Sequence, residues 1–191
     1  KADKTAKAGN KGAQQELILL KKLEAWLQEG RNLRNLELDP AQADLVKTWQ
    51  LLTMKPVVYA ANVDEATLKS RTNPHVARLQ EVIQKENDVL ILISANLEAE
   101  LAELAPNEKI LLLREYGLGV SGLDQLIQVS YRNLNLITYF TAGPEEVRAW
   151  TIQQGTKAPQ AAGIIHSDFE RGFIKAEVIK LADYQQYKSE L

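Results

Sequence analysis

Cysteine is absent from these 191 residues, which excludes disulfides and thiolate metal sites and fits a cytoplasmic protein. Histidine is almost absent as well: His75 and His166 stand far apart and show no metal-ligand spacing. No apolar run reaches the roughly 18 to 20 residues needed to span a bilayer, and no signal-peptide pattern opens the chain. A membrane partner is therefore not expected. Charge of one sign is also lacking, because 23 Lys and Arg stand against 25 Asp and Glu for a formal net charge of −2. With no overall basic field, nucleic-acid contact has to come from a local patch or from shape. Finally, no Gly is followed by Lys. A phosphate-cradling loop needs Gly-x-x-x-x-Gly-Lys-Ser/Thr, its glycines freeing backbone N–H groups and its Lys reaching the phosphates, so that loop is missing. The first residue is Lys1 rather than Met, and no strand-like run precedes residue 56; a piece of a longer protein is expected.

What is present is an ordinary globular mixture, 45% apolar and 25% charged, enough for one or two domains. Residues 1–15 are rich in Lys, Ala, Gly and Gln, with Lys1, Lys4, Lys7 and Lys11 near helical spacing. This run is either a solvated helix end or a basic arm for RNA. Leu17, Leu20, Leu23 and Leu27, joined by Ile18, Leu19 and Trp26, predict an amphipathic helix over 16–29 that Gly30 closes. Such a helix needs a partner, and one arm of a helical hairpin is the expectation. Asp39 as N-cap and Pro40 at the first helical position start the next helix.

A strand over 56–61, a helix over 74–86 and a strand over 89–93 follow. The consecutive apolar residues of both strands suggest burial on both faces, as in parallel sheets. Strand, helix, strand is a crossover unit, so Asn62 and Ser94 are expected on the same edge of the sheet. Helices over 97–104, 107–116 and 121–134 come next. The texture then changes, with β-type runs over 136–141, 147–152 and 173–179 separated by turns. The expected organisation is a helical arm and return helix over 1–54, an α/β domain over 55–135 and a second mixed domain over 136–191.

The chemistry lies at the strand ends. Lys55-Pro56-Val57-Val58-Tyr59-Ala60-Ala61-Asn62-Val63-Asp64-Glu65 is an apolar strand ending in an amide and a carboxylate, and the C-terminal edge of a parallel strand is where an open α/β sheet holds its ligand. Alone, this is a common strand end. Paired with Ser94-Ala95 at the next strand's end, it has what a purine pocket needs. Guanine presents N–H donors on its Watson–Crick edge and a short Asp accepts from both, whereas adenine presents a bare N1 acceptor. An Asn-Lys-x-Asp arrangement therefore suits guanine. Here Val63 takes the Lys position and the longer Glu65 the acid, which weakens guanine selection and accommodates adenine.

Other motifs have plainer explanations. Gly117-Leu118-Gly119-Val120-Ser121-Gly122 matches a dinucleotide fingerprint by letters, but it follows a helix, and Ser121 with Asp124 makes a capping box. His166-Ser167-Asp168 holds triad residue types, yet neighbours in sequence cannot relay a proton along a line; polar tips on a loop between strands are expected. Glu98, Glu100 and Glu103 are expected on a solvated helix face. Arg148, Lys157, Arg171 and Lys175 interleave with Tyr139, Phe140, Trp150, Phe169 and Phe173, a pattern that serves RNA contact or an ordinary core with exposed charges.

These residues resemble a known family. The stretch from Lys55 to Glu65, then Ser94-Ala95 with Leu97-Glu98-Ala99-Glu100-Leu101-Ala102-Glu103-Leu104, look like the YchF / Obg-like ATPases. So does the block Leu136-Ile137-Thr138-Tyr139-Phe140-Thr141-Ala142-Gly143, with its continuation Gly155-Thr156-Lys157-Ala158-Pro159-Gln160 through His166-Ser167-Asp168-Phe169. The resemblance implies an α/β fold: part of a P-loop-type nucleotide-binding domain, a helical coiled-coil arm, and an incomplete C-terminal TGS domain of β-grasp type. It implies a ribosome-associated, cytoplasmic, monomeric ATPase. By match, Asn62, Val63 and Glu65 belong to the motif that favours ATP over GTP, and Ser94 and Ala95 to the next nucleotide-contacting loop. The phosphate loop and the Mg²⁺ ligands match nothing in this chain. Phosphoryl transfer depends on positioning phosphate and metal, so this polypeptide alone is expected not to hydrolyse ATP. The alternative is a nucleotide-independent module that binds RNA or the ribosome.

Overall fold

The computed structural model describes residues 11–86, 88–143 and 145–187. Lys1, Lys4 and Lys7 of the basic run lie outside the described residues. The chain separates into two compact units between Asn133 and Leu134.

The first unit opens with α1 (Lys11–Gln28), which buries Ala13, Leu19 and Leu23. Gly30 ends it in the left-handed region at φ +73°, where a side chain would be strained. The partner that α1 needs is local. Leu19 and Leu23 meet Leu33, from a 3₁₀ turn (Leu33–Asn35), and Val46, from α2 (Pro40–Thr48), with Trp26, Trp49 and Met54 packed around them. Asp39 caps α2 as expected: its Oδ1 accepts from Gln42 N at 2.8 Å, and Gln42 Oε1 accepts from Asp39 N at 3.4 Å.

A parallel pair follows, β1 (Val58–Asn62) and β2 (Val89–Ile93), running in register from Val58 opposite Val89 to Asn62 opposite Ile93. The crossover carries two helices, α3 (Glu65–Ser70) and α4 (Pro74–Glu86). Periodicity missed α3 because six residues are too few to show a period; its signal was Asp64, a capping acid. The expected burial of the strands on both faces is not found: Ala60 and Val89 are exposed. Among the described residues this sheet has two strands, too narrow for flanking helices to cover every outward residue. After β2 come α5 (Ala95–Glu103), α6 (Pro106–Glu115) and α7 (Gly122–Asn133). Leu68, Leu97 and Leu101 form a second core, and α7 packs on both strands.

The second unit is a hairpin with short helices. Strands β3 (Leu136–Ala142) and β4 (Val147–Gln153) pair antiparallel, Leu136 opposite Gln153 and Ala142 opposite Val147. Helices α8 (Ala158–Ile165), α9 (Ser167–Arg171) and α10 (Leu181–Tyr187) follow. Two expectations are corrected here. Residues 173–179 form no strand, and Ile174 and Val178 are 92% and 85% exposed; alternation makes a strand only where an edge accepts its hydrogen bonds, and neither hairpin edge does so. His166 lies between two helices rather than between strands, where its Nδ1 accepts from Asp168 N at 3.2 Å and caps α9.

Candidate functional site

The two strand ends meet through one side chain. Asn62 is the last residue of β1, and its Oδ1 accepts a hydrogen bond from Ala95 N, at the start of α5, at 3.0 Å. One residue on, Val63 N donates to Ile93 O at 2.8 Å and extends the ladder past the strand. Ser94, 2% exposed, turns its hydroxyl inward to accept from Leu97 N at 3.4 Å, while its carbonyl accepts from Glu98 N at 2.9 Å. With one lone pair of its oxygen committed to Ala95, the Asn62 amide still carries two N–H donors and one further acceptor position. Both Asn62 and Ala95 are exposed. Ser94→Ala removes the buried cap and is expected to cost about 1 kcal/mol, to be checked by urea unfolding; a change within error would show that the hydroxyl does not cap α5.

The acids of the corner divide. Asp64 Oδ1 accepts from Thr67 N at 2.7 Å and N-caps α3, and hydrogen bonds from Thr67 hold its carboxyl below the usual carboxylate range. Its role is thereby explained without a ligand. Glu65, the first residue of α3, is half-buried at the same corner. It lies near Tyr116, whose hydroxyl is pushed above its ordinary value by burial first and by the charge of Glu65 second. Sequence reasoning did not select Tyr116, because nothing in its local pattern distinguishes it from a helix-end core aromatic. Val63 packs against the Leu68, Leu97 and Leu101 cluster, so its contribution here is packing. The structure thus brings Asn62, Glu65, Ser94 and Ala95 to one rim, with Ser94 facing the interior.

Glu98 does not lie on a merely solvated face, as expected from sequence. Its carboxylate accepts from Gly122 N at 2.6 Å and from Leu123 N at 3.3 Å, capping α7 from a different helix. The expected Ser121 cap is also present, Ser121 Oγ accepting from Asp124 N at 3.0 Å. A carboxylate on the first amides of α7 repels a phosphate, which removes the glycine-rich letters at 117–122 from phosphate binding.

A cavity of about 150 Å³ runs along β2 between Arg71, Gln80, Leu118 and Gln125. It shares Ser94 with the strand-end corner and includes none of Asn62, Val63, Glu65 or Ala95. Among the described residues, no group of three or more His, Cys, Asp or Glu is placed to hold a metal ion, and no helix is long and apolar enough to cross a membrane.

In the second unit, the Arg148 guanidinium stacks 4.2 Å over the Trp150 ring. Trp150 Nε1 donates to Thr141 Oγ1 at 2.9 Å, and Tyr139 O–H donates to Ala161 O at 2.8 Å. Those two aromatics serve the hairpin's own packing. Phe140 and Phe169 remain more than half exposed, and Lys175 pairs with Glu177 at 3.0 Å.

The tied parallel pair and the separate hairpin unit define a mixed α/β protein. A family model named YchF-GTPase_C, described as "Protein of unknown function (DUF933)", matches residues 136–191. The ribosome-binding ATPase YchF of Pasteurella multocida (strain Pm70) is 44% identical over 187 residues, covering 98% of this chain and 51% of that protein. The ribosome-binding ATPase YchF of Bacillus subtilis (strain 168) is 47% identical over 184 residues, covering 96% and 50%. A solved structure of the Schizosaccharomyces pombe YchF GTPase superposes with a TM-score of 0.85 at 34% identity, over 94% of this chain and 48% of that one. The chain belongs to the YchF family, and it spans about half the length of the curated relatives it matches.

Proposed function

We propose that this chain carries the base-recognition part of a ribosome-associated, P-loop-class ATPase, with adenine held at the corner of Asn62, Glu65 and Ala95. The observation that supports this reading most is the bond from Ala95 N to Asn62 Oδ1. It joins the ends of two adjacent parallel strands and leaves an amide N–H to face a purine acceptor nitrogen, at the sheet edge where open α/β folds place ligands. Asp64 is engaged as a helix cap, so the free acid is the longer Glu65, which suits guanine poorly. ATP is accordingly preferred to GTP.

Residues 55–135 act as part of the nucleotide domain, with the helices before them as a coiled-coil arm. Residues 136–191 act as a TGS-like β-grasp domain for ribosome or RNA contact in the cytoplasm, on a monomeric protein. The names of the bacterial relatives, ribosome-binding ATPases, support the partner and the reaction. Phosphate and Mg²⁺ contacts come from elsewhere in the whole protein, where the metal neutralises developing phosphate charge. This chain supplies a few base hydrogen bonds at about 1 kcal/mol each, so alone it binds weakly and does not hydrolyse ATP.

Titrating ATP and GTP into this chain and into a full-length relative tests the reading. Weak adenine-selective binding here and much tighter binding by the full-length protein is the expected result. Equal affinity in both would overturn the division of labour, and a preference for GTP would overturn the base assignment.

A further inference from the structure

Glu98 is three residues past the corner in chain order, yet its carboxylate reaches a different element. It accepts from Gly122 N at 2.6 Å and Leu123 N at 3.3 Å, while its own backbone N holds the Ser94 carbonyl at 2.9 Å. A Cβ added at Gly122 would lie 2.9 Å from Glu98 Oε1 and 3.2 Å from the Ile93 side chain, so a larger residue here would push the Glu98 carboxylate off its present position. The first turn of α5 is therefore fastened to α7 by charge-assisted bonds at one point and to β1 by the Asn62–Ala95 bond at another. A half-buried carboxylate spent in this way leaves the first turn of α5 little freedom to rotate.

We infer that Glu98 is a positioning residue for the purine corner: by clamping the first turn of α5 to the glycine start of α7, it keeps the Ala95 N–H on Asn62 and so presents the Asn62 amide donor to the base. Glu98 touches no ligand in this assignment. It acts through Ala95, with the backbone N–H groups of Gly122 and Leu123 as its partners. The nucleotide part of this assignment rests on the proposed function; the clamp itself does not.

The test uses the whole 191-residue chain, with amide hydrogen exchange read at Ala95 and at Ile91 of β2, and adenosine titrated by NMR. In Glu98→Ala, exchange at Ala95 is expected to rise about tenfold while Ile91 stays within about twofold, because local opening is separable from global unfolding. Adenosine affinity is expected to fall about fivefold as one hydrogen bond loses its geometry. Glu98→Gln keeps an acceptor oxygen for Gly122 N and is expected to recover most of both losses.

Unchanged exchange at Ala95 in Glu98→Ala would overturn the inference. So would an equal rise at Ala95 and Ile91, which would mark a general structural role. Failure of the unsubstituted chain to bind adenosine would sink the base reading separately, with exchange at Ala95 still deciding the clamp.

Discussion

Arg34→Ala is expected to lower the stability of the first unit by about 3–5 kcal/mol, the range for breaking a buried ion pair from one side. Arg34 Nε donates to Asp88 Oδ1 at 2.9 Å and Nη2 to Glu86 Oε2 at 3.1 Å, with a further bond from Nη2 to Asp88 Oδ2. The Arg34 and Asp88 side chains are 11% and 6% exposed. Removal of the guanidinium therefore leaves the buried Asp88 carboxylate uncompensated beside the part-exposed Glu86, which keeps its bond from Tyr59, and cuts the tie between the Leu33–Asn35 turn and the start of β2. Arg34→Lys is expected to recover only part of the loss, since an ammonium cannot make the planar fork. Urea unfolding followed by Trp fluorescence reads this through Trp26 and Trp49. A loss below about 1 kcal/mol would place the cluster with exposed surface pairs.

The same cluster adds a pH signature. Tyr59 O–H donates to Glu86 Oε2 at 2.9 Å, and that bond first, then burial, raises the phenol above its ordinary value of 10.0. A raised value means that the stabilising contribution is fully present below pH 10 and is lost as pH rises through the shifted value. Stability of the first unit is expected to fall on the alkaline side of pH 10, and to fall less in Tyr59→Phe.

Asn62→Asp is expected to leave the fold in place and to weaken adenosine binding at least tenfold. A carboxylate oxygen still accepts from Ala95 N, so the strand ends stay joined. The N–H donor is lost, however, and a negative charge faces the acceptor nitrogens of the base. An unpaired polar contact of this kind costs about 1–3 kcal/mol, and a carboxylate instead accepts from guanine N–H groups. The ratio of adenosine to guanosine affinity is thus expected to move toward guanosine, measured by NMR titration of both. An unchanged ratio with an unchanged thermal midpoint would show that Asn62 serves only to link the strands.

The parts of the fold that were legible are those written by short-range physics. The Asp39-Pro40 start of α2, the Asn73-Pro74 start of α4, the apolar run 89–93 and the Ser121 cap of α7 all appear near their expected places. Each rests on a cap, a proline or a period of a few residues. Failures came where the outcome depended on a distant partner. Residues 173–179 alternate as a strand should, but no edge receives them. Glu98 looked like one more helix-surface acid, because nothing near it in sequence announces Gly122.

The strand-end corner proposed to hold the base was half legible for the same reason. Its residues stand at the ends of two apolar runs, and a parallel crossover brings such ends to one edge; the sequence therefore placed Asn62, Glu65, Ser94 and Ala95 together. Which of their oxygens are engaged was decided only in three dimensions, when Ala95 N donated to the Asn62 amide oxygen and Leu97 N to the Ser94 hydroxyl oxygen. Local periodicity and capping are properties of neighbours along the chain and survive in a string of letters. Hydrogen-bond valence is spent between residues far apart along it, and only the folded arrangement settles what remains for a ligand.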